Sequence, residues 1–421
     1  MPVDLTRSGA SGLLVCTLFV LAACGEPEPA PVVGMGDNAS TERLRIALFN
    51  IKELRSSKVE SVDGDGRGNH PQLLAAAGII RRVRPAILIL NEVDHDDPAN
   101  GRPLDYTARR FAELYLEVGE QPLGLSYSFA APSNTGLLSG IDLNGDGYVA
   151  TDEDRGERRH GNDSFGYGTY PGEYSMAVLS RLPIAAERAR TFQRFRWRDL
   201  PGHHMPEDFL SPEAQGVFRL SSKSHWDLPI EVDGRHLHLL LSHPTPPVFD
   251  GDEDLNGRRN FDEIKFWVEY LYPGGGRPTI YDDRGNYGGY EASAPFLIAG
   301  DLNAPPGGSE AVYDGLSAID QLLRHPSIRD AGEWLTSLGA LKGREPGPPD
   351  HPERATAVFG DGVRIDYLLP SAEVEILAGG VFWPDRAGDP EGARWAEEAS
   401  DHRLVWLDVA LPVSRQPTPR S

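Results

Sequence analysis

The sequence has very little cysteine, a minority of positive charges and no long apolar stretch. Its 2 cysteines among 421 residues exclude a disulfide framework and a cysteine-rich metal site. Lys and Arg total 41 against 63 Asp and Glu, so the net charge is −22. A surface this acidic repels phosphate backbones at long range, which excludes a protein that coats nucleic acid through a general basic surface. An enzyme that recruits cations to a small acidic site is compatible with this charge.

Glycine and proline are abundant instead, with 46 and 35 residues. Hydrophobic residues make up 39% of the chain and charged residues 25%, which is enough apolar material for a sizeable core. The many turn-forming residues favour a loop-rich domain over a helical bundle or a coiled coil.

The first residues have the pattern of an export signal. Residues 12–23 (GLLVCTLFVLAA) are apolar but too few to span a bilayer, which is typical of a secretory signal. Residues 21–24 (LAAC) resemble a bacterial lipobox, in which the cysteine is lipidated. We therefore expect a signal peptide at 1–23, a lipid anchor on Cys24 that binds the outer membrane or cell surface, and a Pro-rich tether at 24–42. The alternative is an ordinary signal peptide in which the cysteine has no role.

Alternating strands and helices follow, and we expect one mixed α/β domain at 43–412 and a tail at 413–421. Residues 132–172 are rich in Gly, Asp and Asn and are predicted to form a long ordered insertion. Two packed sheets with helices outside are the simplest arrangement of so many strands. Strands are predicted at 44–50, 86–91, 174–180, 216–224, 236–242, 295–300, 364–369, 374–383 and 403–410, and helices at 70–84, 104–117 and 260–272.

Polar residues stand at the ends of several predicted strands. Each one alone is explained equally well as a solvated turn residue or a helix cap. Together they flank buried apolar strands and are able to meet at one edge of a sheet sandwich, which indicates a functional site. These residues are Asn50, Glu92, His243, Asp301, Asn303, Asp366, Asp401 and His402.

The motifs that contain these residues occur in a specific order. They read FN-I, NEV, SHP, GDLNA, RIDYLL and SDHRLV between residues 44 and 410. This series resembles that of the endonuclease/exonuclease/phosphatase superfamily, which has the deoxyribonuclease-I-like fold. The resemblance implies a four-layer α/β sandwich, with two packed mixed sheets flanked by helices. It also implies hydrolysis of a phosphoester with the help of a divalent metal.

The resemblance implies a metal side of the site. Asn50 and Glu92 match the family's metal-side Asn and Glu, and Asp401 matches the Asp of its final Asp-His pair. Hard oxygen ligands of this kind suit Mg²⁺ or Mn²⁺, whose charge neutralises the phosphodiester and polarises its phosphoryl oxygen. Asn91 departs from the family pattern, because many members have Gln there, and this puts one phosphate contact in doubt.

The resemblance also implies an acid–base side. Asp301 matches the Asp that activates the attacking water, and Asn303 matches the Asn that steadies the phosphate. His402 would stabilise the transition state or protonate the leaving group, and Asp366 would fix its tautomer and raise its pKa. His243 lies where the nuclease branch has a His and other branches have Tyr or Asn.

Four further residues are candidate substrate contacts only. The stretch LSSKSHWDLP, which contains Lys223 and His225, is not part of the general motif series. Arg258 and Arg259 follow His243 closely in the sequence and are able to offer positive charge to a substrate phosphate.

Two acidic loops have the spacing of an EF-hand calcium site, in which oxygen ligands surround a sharp glycine turn. In both cases the alternative is a solvated acidic turn. In the second loop Arg259 stands where an apolar residue is expected. Residues 142–153 would bind Ca²⁺ through Asp142, Asn144, Asp146, the Tyr148 carbonyl and Glu153, and residues 252–263 through Asp252, Asp254, Asn256 and Glu263.

The sequence thus predicts a lipid-anchored, extracytoplasmic, metal-dependent phosphoester hydrolase, in the first place a phosphodiesterase or nuclease. A nucleic acid, a nucleotide, an inositol phosphate or a phospholipid headgroup would each suit this fold. Because the acidic net charge disfavours DNA, a phosphomonoesterase or a sphingomyelinase-like phospholipase is a near-equal alternative. A catalytically silent calcium-binding surface lipoprotein is a third alternative, against which the intact catalytic set argues. No protein partner is indicated.

Overall fold

Two β-sheets face each other in the structure, a computed structural model that describes residues 43–95, 101–249, 251–272, 278–290, 294–341 and 351–412. The strands are β1 (Leu44–Leu54), β2 (Ile87–Val93), β3 (Tyr127–Phe129), β4 (Ser175–Ser180), β5 (Arg190–Thr191), β6 (His225–Val232), β7 (Arg235–Ser242), β8 (Phe296–Asp301), β9 (Val312–Tyr313), β10 (Leu316–Ser317), β11 (Asp366–Pro370), β12 (Glu375–Val381) and β13 (Val405–Ala410). The helices are α1 (Ser56–Val59), α2 (Pro71–Val83), α3 (Tyr106–Phe111), α4 (Arg158–Asn162), α5 (Pro212–Val217), α6 (Leu255–Tyr270), α7 (Asp320–Leu323) and α8 (Pro390–Ala399).

The strand order of both sheets is mixed. The six-stranded sheet has the order β12-β13-β1-β2-β4-β3, and the five-stranded sheet has the order β11-β8-β7-β6-β5. One pair in each sheet is parallel, β1 with β2 and β7 with β8. The chain between the parallel partners contains α2 in the first case and α6 in the second, as parallel neighbours require a crossover connection. The predicted four-layer sandwich of two mixed sheets flanked by helices is confirmed.

Strand periodicity explains the layers. In β1, Ile46 and Leu48 belong to the core between the two sheets, whereas Ala47 and Phe49 pack under the helices of the outer layer. Successive side chains of a strand point to opposite faces, so one apolar strand serves two cores. On the other side of the molecule, α6 covers the outer face of the five-stranded sheet, and its Trp267 is fully buried.

The largest differences from the sequence prediction lie around β6, which was not predicted, and at α8. Residues 216–224 do not form the predicted strand: α5 ends at Val217, and β6 begins only at His225. The serines before β6 bond locally instead, as shown by Ser221 Oγ, which lies 2.6 Å from Nδ1 of His225. The helix α8 was not predicted, although its Ala and Glu residues favour a helix, because it buries only small residues and so lacks a clear apolar periodicity.

The predicted insertion at 132–172 is held to the rest of the molecule by buried polar side chains. Asn134 donates from Nδ2 to the carbonyl oxygens of Gln193 and Ser221, at 2.7 Å each. Inside the insertion, Asp163 accepts hydrogen bonds from the backbone N–H groups of Leu143 and Ala150, both within the first predicted calcium loop. The insertion is therefore ordered by hydrogen bonds more than by apolar burial.

Several predictions lie outside the described residues: the signal peptide at 1–23, lipidation of Cys24, the tether at 24–42 and the tail at 413–421. Within the described ranges, no helix has both the length and the apolar character needed to cross a bilayer.

Candidate active site

Strand periodicity brings four predicted residues to one place. Asn50 in β1 and Asp301 in β8 have the same parity as the core residues that lie between the sheets. The same holds for His243, just after β7, and for Asp366, the first residue of β11. Since residues two apart share a face of a strand, all four side chains enter the layer between the sheets at one edge. All four are buried.

Glu92 reaches the same place by a different route. Its parity in β2 would direct it to the outer face, but the pairing of β2 with β4 shifts register between Asn91 and Val93. Glu92 also has a left-handed backbone, with φ 60°. A bulge of this kind re-aims one side chain, and it lets Glu92 accept a hydrogen bond of 3.0 Å from Asn50 Nδ2. Left-handed backbone at a non-glycine residue is strained, and such strain clusters at functional sites.

Asp301 is the centre of the arrangement. Its Oδ2 accepts a hydrogen bond of 2.9 Å from Asn50 Nδ2, and Nε2 atoms of two imidazoles lie nearby, at 3.5 Å in His243 and 3.7 Å in His402. The backbone N–H of Asn303 donates to its Oδ1 at 3.0 Å. Burial raises the pKa of Asp301 to about 7, although the charge of His402 opposes the shift.

His402 and Asp366 form a buried pair. Nδ1 of His402 lies 3.0 Å from Oδ2 and 3.2 Å from Oδ1 of Asp366. Burial alone would lower the pKa of His402, but the carboxylates of Asp366 and Asp301 outweigh it and raise this pKa to about 10. His402 is then an imidazolium at neutral pH. His243 is the opposite case, since burial and the positive charges of Lys223 and His402 lower its pKa well below the usual value.

The predicted metal-side residues present hard oxygen atoms. Glu92 Oε2 accepts from the backbone N–H of Glu53 at 3.1 Å, which leaves lone pairs on both of its oxygens. Asp401 Oδ2 lies 2.9 Å from the ammonium of Lys52, so a positive charge already stands beside this carboxylate. Carboxylate and amide oxygens fit Mg²⁺ or Mn²⁺, and Asn50, Glu92 and Asp401 are the residues that would hold the ion.

A second group of side chains is also close enough to hold a metal. Asp301, Asp366 and His402 each offer one ligand atom within 4.8 Å of the others, and no other group of three or more His, Cys, Asp or Glu does so in the described ranges. A protonated imidazole is not a metal ligand, however. The raised pKa of His402 therefore favours an acid–base role for this group.

The predicted substrate contacts separate in the structure. Lys223 is buried and lines a cavity together with His243, Glu92 and Arg259. His225 is buried against α6, where its Nε2 lies 2.8 Å from the carbonyl oxygen of Glu263. Its imidazole is therefore bonded within the protein and is not assigned as a substrate contact.

The two arginines donate mostly to carbonyl groups of the protein. Arg259 is buried and donates from Nε to the carbonyl oxygen of Leu220 at 2.8 Å and from Nη2 to that of Arg219 at 3.0 Å. Arg258 donates from Nε to the carbonyl oxygen of Glu253 at 3.0 Å. Their positive charge is therefore largely used to fix the chain around α6.

The first predicted calcium loop is compact but does not gather its ligands. Asp142 accepts hydrogen bonds from the backbone N–H groups of Gly145 and Gly147, at 2.7 and 2.8 Å. Glu153 stays exposed, at the start of a short 3₁₀ turn. In this arrangement the carboxylates of the loop are not among the close ligand groups of the described residues. Calcium binding here stays a prediction.

The second predicted calcium loop is corrected by the structure. Helix α6 begins at Leu255, so the residues from there to Glu263 are helical and cannot wrap around an ion as an EF-hand loop does. Glu263 is buried, and its carboxylate accepts from the backbone N–H groups of Ser222 and Thr245 at 2.6 Å each. The other predicted ligands stay at the beginning of the helix: Asp252, Asp254 and Asn256.

Two site residues were missed from the sequence. Lys52 pairs with Asp401, and strand parity gave no signal for it, because Lys52 has a left-handed backbone and the pairing of β1 with β2 shifts register after Asn50. Ser400 donates from Oγ to the carbonyl oxygen of Asn50 at 2.8 Å and accepts from the backbone N–H of His402 at 3.0 Å. Its neighbours in the SDH motif were the only sequence signal for it.

The fold and the arrangement of the site agree with one protein family. Residues 47–402 match the Endonuclease/Exonuclease/phosphatase family, and the chain belongs to it. Members of this family are generally metal-dependent phosphoester hydrolases, among them nucleases and phosphatases. No curated protein matches the chain.

Solved structures with a similar fold come from distant organisms. One is the endonuclease/exonuclease/phosphatase from Beutenbergia cavernae DSM 12333, with 20% identity, 88% of this chain and 73% of that chain covered, and a TM-score of 0.49. A family protein from Leptotrichia buccalis C-1013-b has 14% identity, with 87% and 99% covered and a TM-score of 0.45. The human Nocturnin catalytic domain with bound sulfate has 14% identity, with 88% and 95% covered and a TM-score of 0.42.

Proposed function

We propose that this protein is an extracytoplasmic phosphodiesterase that uses a divalent cation, an aspartate-activated water and an Asp–His pair. The position of Asp301 carries the proposal. Its Oδ2 lies 2.9 Å from Asn50 Nδ2 on the metal side and 3.7 Å from His402 Nε2 on the acid–base side. One buried carboxylate thus faces both halves of the site, where it is able to accept a proton from an attacking water.

Hydrolysis forms a bond from the water oxygen to phosphorus and breaks the bond from phosphorus to one ester oxygen. Asp301 accepts the proton that the water loses, and His402 donates its Nε2 proton to the departing oxygen, so protons and charge balance. Asp366 holds the imidazolium in place through Nδ1. A Mg²⁺ or Mn²⁺ ion bound at Glu92 and Asp401 would neutralise the phosphoryl oxygens.

Two further amides support the binding of a phosphate. Asn91 accepts from the backbone N–H of Asp301 at 2.9 Å through Oδ1, while its buried Nδ2 has no partner among the described residues. A buried donor without a partner is costly unless a ligand supplies an acceptor. Asn303 stands next to the same carboxylate, and its Nδ2 donates one hydrogen bond to the carbonyl oxygen of Pro244 at 3.1 Å, which leaves its second N–H for a phosphate.

A diester is favoured over a monoester because the site continues into a cavity. This cavity has a volume of about 640 Å³ and begins at Glu92 and His243. A monoester would leave it empty, whereas the second ester group of a diester has room there. Nucleotides, inositol phosphates and phospholipid headgroups are the substrate classes that the family resemblance adds.

Turnover of two chromogenic esters tests the proposal. The full chain is incubated with bis(p-nitrophenyl) phosphate or with p-nitrophenyl phosphate, in Mg²⁺, in Mn²⁺ and in chelator, and Asp301→Asn is the inactive control. We expect metal-dependent release of nitrophenol, faster from the diester. Release that is metal-independent, or that persists in the Asp301→Asn protein, contradicts the proposed mechanism. Turnover of p-nitrophenyl phosphate alone would indicate a phosphomonoesterase, and absence of turnover of both esters contradicts the proposal.

A further inference from the structure

The cavity beside Asp301 has an apolar mouth. Phe249, Tyr167, Phe209 and Val248 all line it and have exposed fractions of 90, 50, 39 and 39%. Large apolar side chains exposed together around one cavity indicate a surface that a ligand covers. The cavity volume of about 640 Å³ lies within the range of small-molecule sites.

Lys223 stands at the inner end of the same cavity. Its side chain is only 7% exposed, and its ammonium forms no hydrogen bond or ion pair with any residue in the described part of the chain. A buried charge without a direct partner costs free energy, which an anionic ligand at this point would offset. The carboxylates of Glu263, Asp301 and Glu92 are within electrostatic reach of the ammonium, and so is His243, so that anion would lie at the catalytic centre.

The chain around Lys223 is held in place on both sides. Its carbonyl oxygen accepts from the backbone N–H of Asn134 at 2.8 Å, which ties it to the insertion. Ser222 donates from its backbone N–H and from Oγ to Glu263, at 2.6 and 3.0 Å. Because its backbone is fixed and its side chain is buried, Lys223 has less conformational freedom to lose on binding than a surface lysine.

We propose that this cavity binds a small phosphodiester, with Lys223 contacting a phosphate oxygen and the apolar group of the non-reacting ester half lying against Phe249 and Phe209. The inference rests on the proposed phosphodiesterase function and narrows its substrate class. A rigid DNA duplex is too wide to enter the cavity, and the net charge of −22 repels a polyanion far more than a small monoanion.

Two diesters with the same leaving group separate the two contacts. Bis(p-nitrophenyl) phosphate and methyl p-nitrophenyl phosphate differ only in the half that stays on phosphorus. We expect Phe249→Ala to raise KM about 5-fold for the aryl diester and to leave the methyl diester unchanged, since only the first buries an apolar ring. The matched control is Tyr287→Ala, an exposed aromatic outside the cavity, which should change neither value.

The charge contact is tested in the same assay and by binding. Lys223→Met should raise KM about 10-fold or more for both diesters and weaken the binding of inorganic phosphate in calorimetry by a similar factor, because a charge-assisted hydrogen bond is lost. Lys223→Arg should recover part of both losses. Lys265→Met, which removes a lysine from the outer side of α6, is the control for charge.

The outcomes separate this inference from the proposed function. If the wild-type protein hydrolyses neither diester, the phosphodiesterase proposal fails. If it hydrolyses both and the Phe249 and Lys223 variants behave as their controls, only the small-diester inference is overturned. Duplex DNA that is cleaved faster than the aryl diester, with no effect of Phe249→Ala on the diester, would also overturn it.

Discussion

At the scale of single residues, the site depends on charged side chains that are buried, where a charge costs free energy. Asp301 is fully enclosed, and its pKa is raised to about 7, so it is close to the ideal for a general base at neutral pH. His402 has a pKa raised to about 10 and is a proton donor in the same range. Environment thus assigns opposite roles to two groups whose facing atoms are 3.7 Å apart.

The catalytic assignment predicts selective loss of turnover. Asp301→Asn and His402→Gln should each lower kcat by about 10²–10⁴-fold, as expected for a positioned base or acid. Both replacements keep the size of the side chain, so the melting temperature should change little. Steady-state kinetics and thermal unfolding check this, with the exposed His351→Gln as control. A folded Asp301→Asn protein with near wild-type turnover would refute the role of Asp301.

The sequence predicted some of these residues better than others, for a physical reason. Asn50 and Asp301 follow from strand periodicity, because apolar residues two positions earlier define their face. Glu92 does not, since it reaches the site through a bulge that periodicity cannot reveal. Lys52 is further from prediction, because its ion pair joins β1 to a residue 349 positions later, and only the fold brings Asp401 there.

At the scale of elements, an ion pair fastens the first strand to the last. Asp408 in β13 is completely buried and accepts hydrogen bonds from Arg45 of β1, at 2.7 and 2.8 Å, and from Arg43. Burial alone would raise the pKa of Asp408, but these arginines outweigh it and lower the pKa below the usual value. The pair is thus a stabilising link between chain ends that meet in one sheet.

This link predicts acid-sensitive stability. Asp408→Asn should reduce the free energy of unfolding at pH 7 by about 1–3 kcal/mol, since one partner of a buried pair is lost while both arginines still reach solvent. The folded pKa is depressed, so the contribution is complete above the unfolded pKa near 3.9 and is lost as pH falls through the folded value.

Denaturant unfolding of wild type and variant between pH 7 and pH 3 checks this. The difference between the two proteins should be constant down to about pH 5 and shrink below pH 4. Asp320→Asn, which breaks the exposed pair of Asp320 with Arg324, is the control and should change stability by about 0.5 kcal/mol or less. A pH-independent difference at Asp408 would show that packing, not charge, links the strands.

In the insertion, the loop at 142–153 has the spacing of an EF-hand, but its predicted ligand atoms do not converge on one point. Asn134 and Asp163 already fix its base through hydrogen bonds. The three acidic side chains predicted as ligands repel one another when no cation is present, so calcium would stabilise the folded state by about 2.7 kcal/mol at 100-fold excess over Kd. The effect should be confined to the loop and not spread over the whole insertion.

We therefore expect calcium to protect residues 142–153 from proteolysis and to raise the melting temperature, and chelator to reverse both. Glu153→Gln should remove part of the protection at saturating Mg²⁺, because a bidentate ligand is lost. The matched control is Glu157→Gln, an exposed carboxylate outside the loop. Identical proteolysis in millimolar calcium and in chelator would make the loop a solvated acidic turn.

The sequence predicted the strands that have continuous apolar runs, and it failed for helix α8, which is only partly buried. The buried strands such as β2 and β8 have apolar runs that leave little choice of structure. Helix α8 was missed because its stability depends on packing against α2 and on a cap, in which Asp389 accepts from the backbone N–H of Gly392 at 2.9 Å. The partner helix cannot be read from the sequence, although Asp389 before Pro390 and the Ala- and Glu-rich stretch are signals of a helix start.

At the scale of the whole molecule, the net charge and the proposed membrane anchor both affect which substrates reach the site. A net charge of −22 disfavours association with anionic polymers, so a high local supply of small substrate would matter more than electrostatic steering. The lipid anchor that we propose would hold the protein at a membrane surface. The sequence offers one candidate for this anchor, Cys24 after the apolar residues 12–23.

Removal of the proposed anchor should change the cell fraction in which the protein is found but not its turnover. Cys24→Ser should abolish labelling by a radioactive fatty acid and move the protein from the membrane to the soluble fraction, because residues 12–23 are too few to span a bilayer. Its turnover of bis(p-nitrophenyl) phosphate should equal that of wild type, since β1 begins at Leu44, beyond the tether. Cys16→Ser, within the apolar stretch, is the matched control and should be labelled and membrane-bound. A labelled, membrane-bound Cys24→Ser protein would contradict the lipobox assignment.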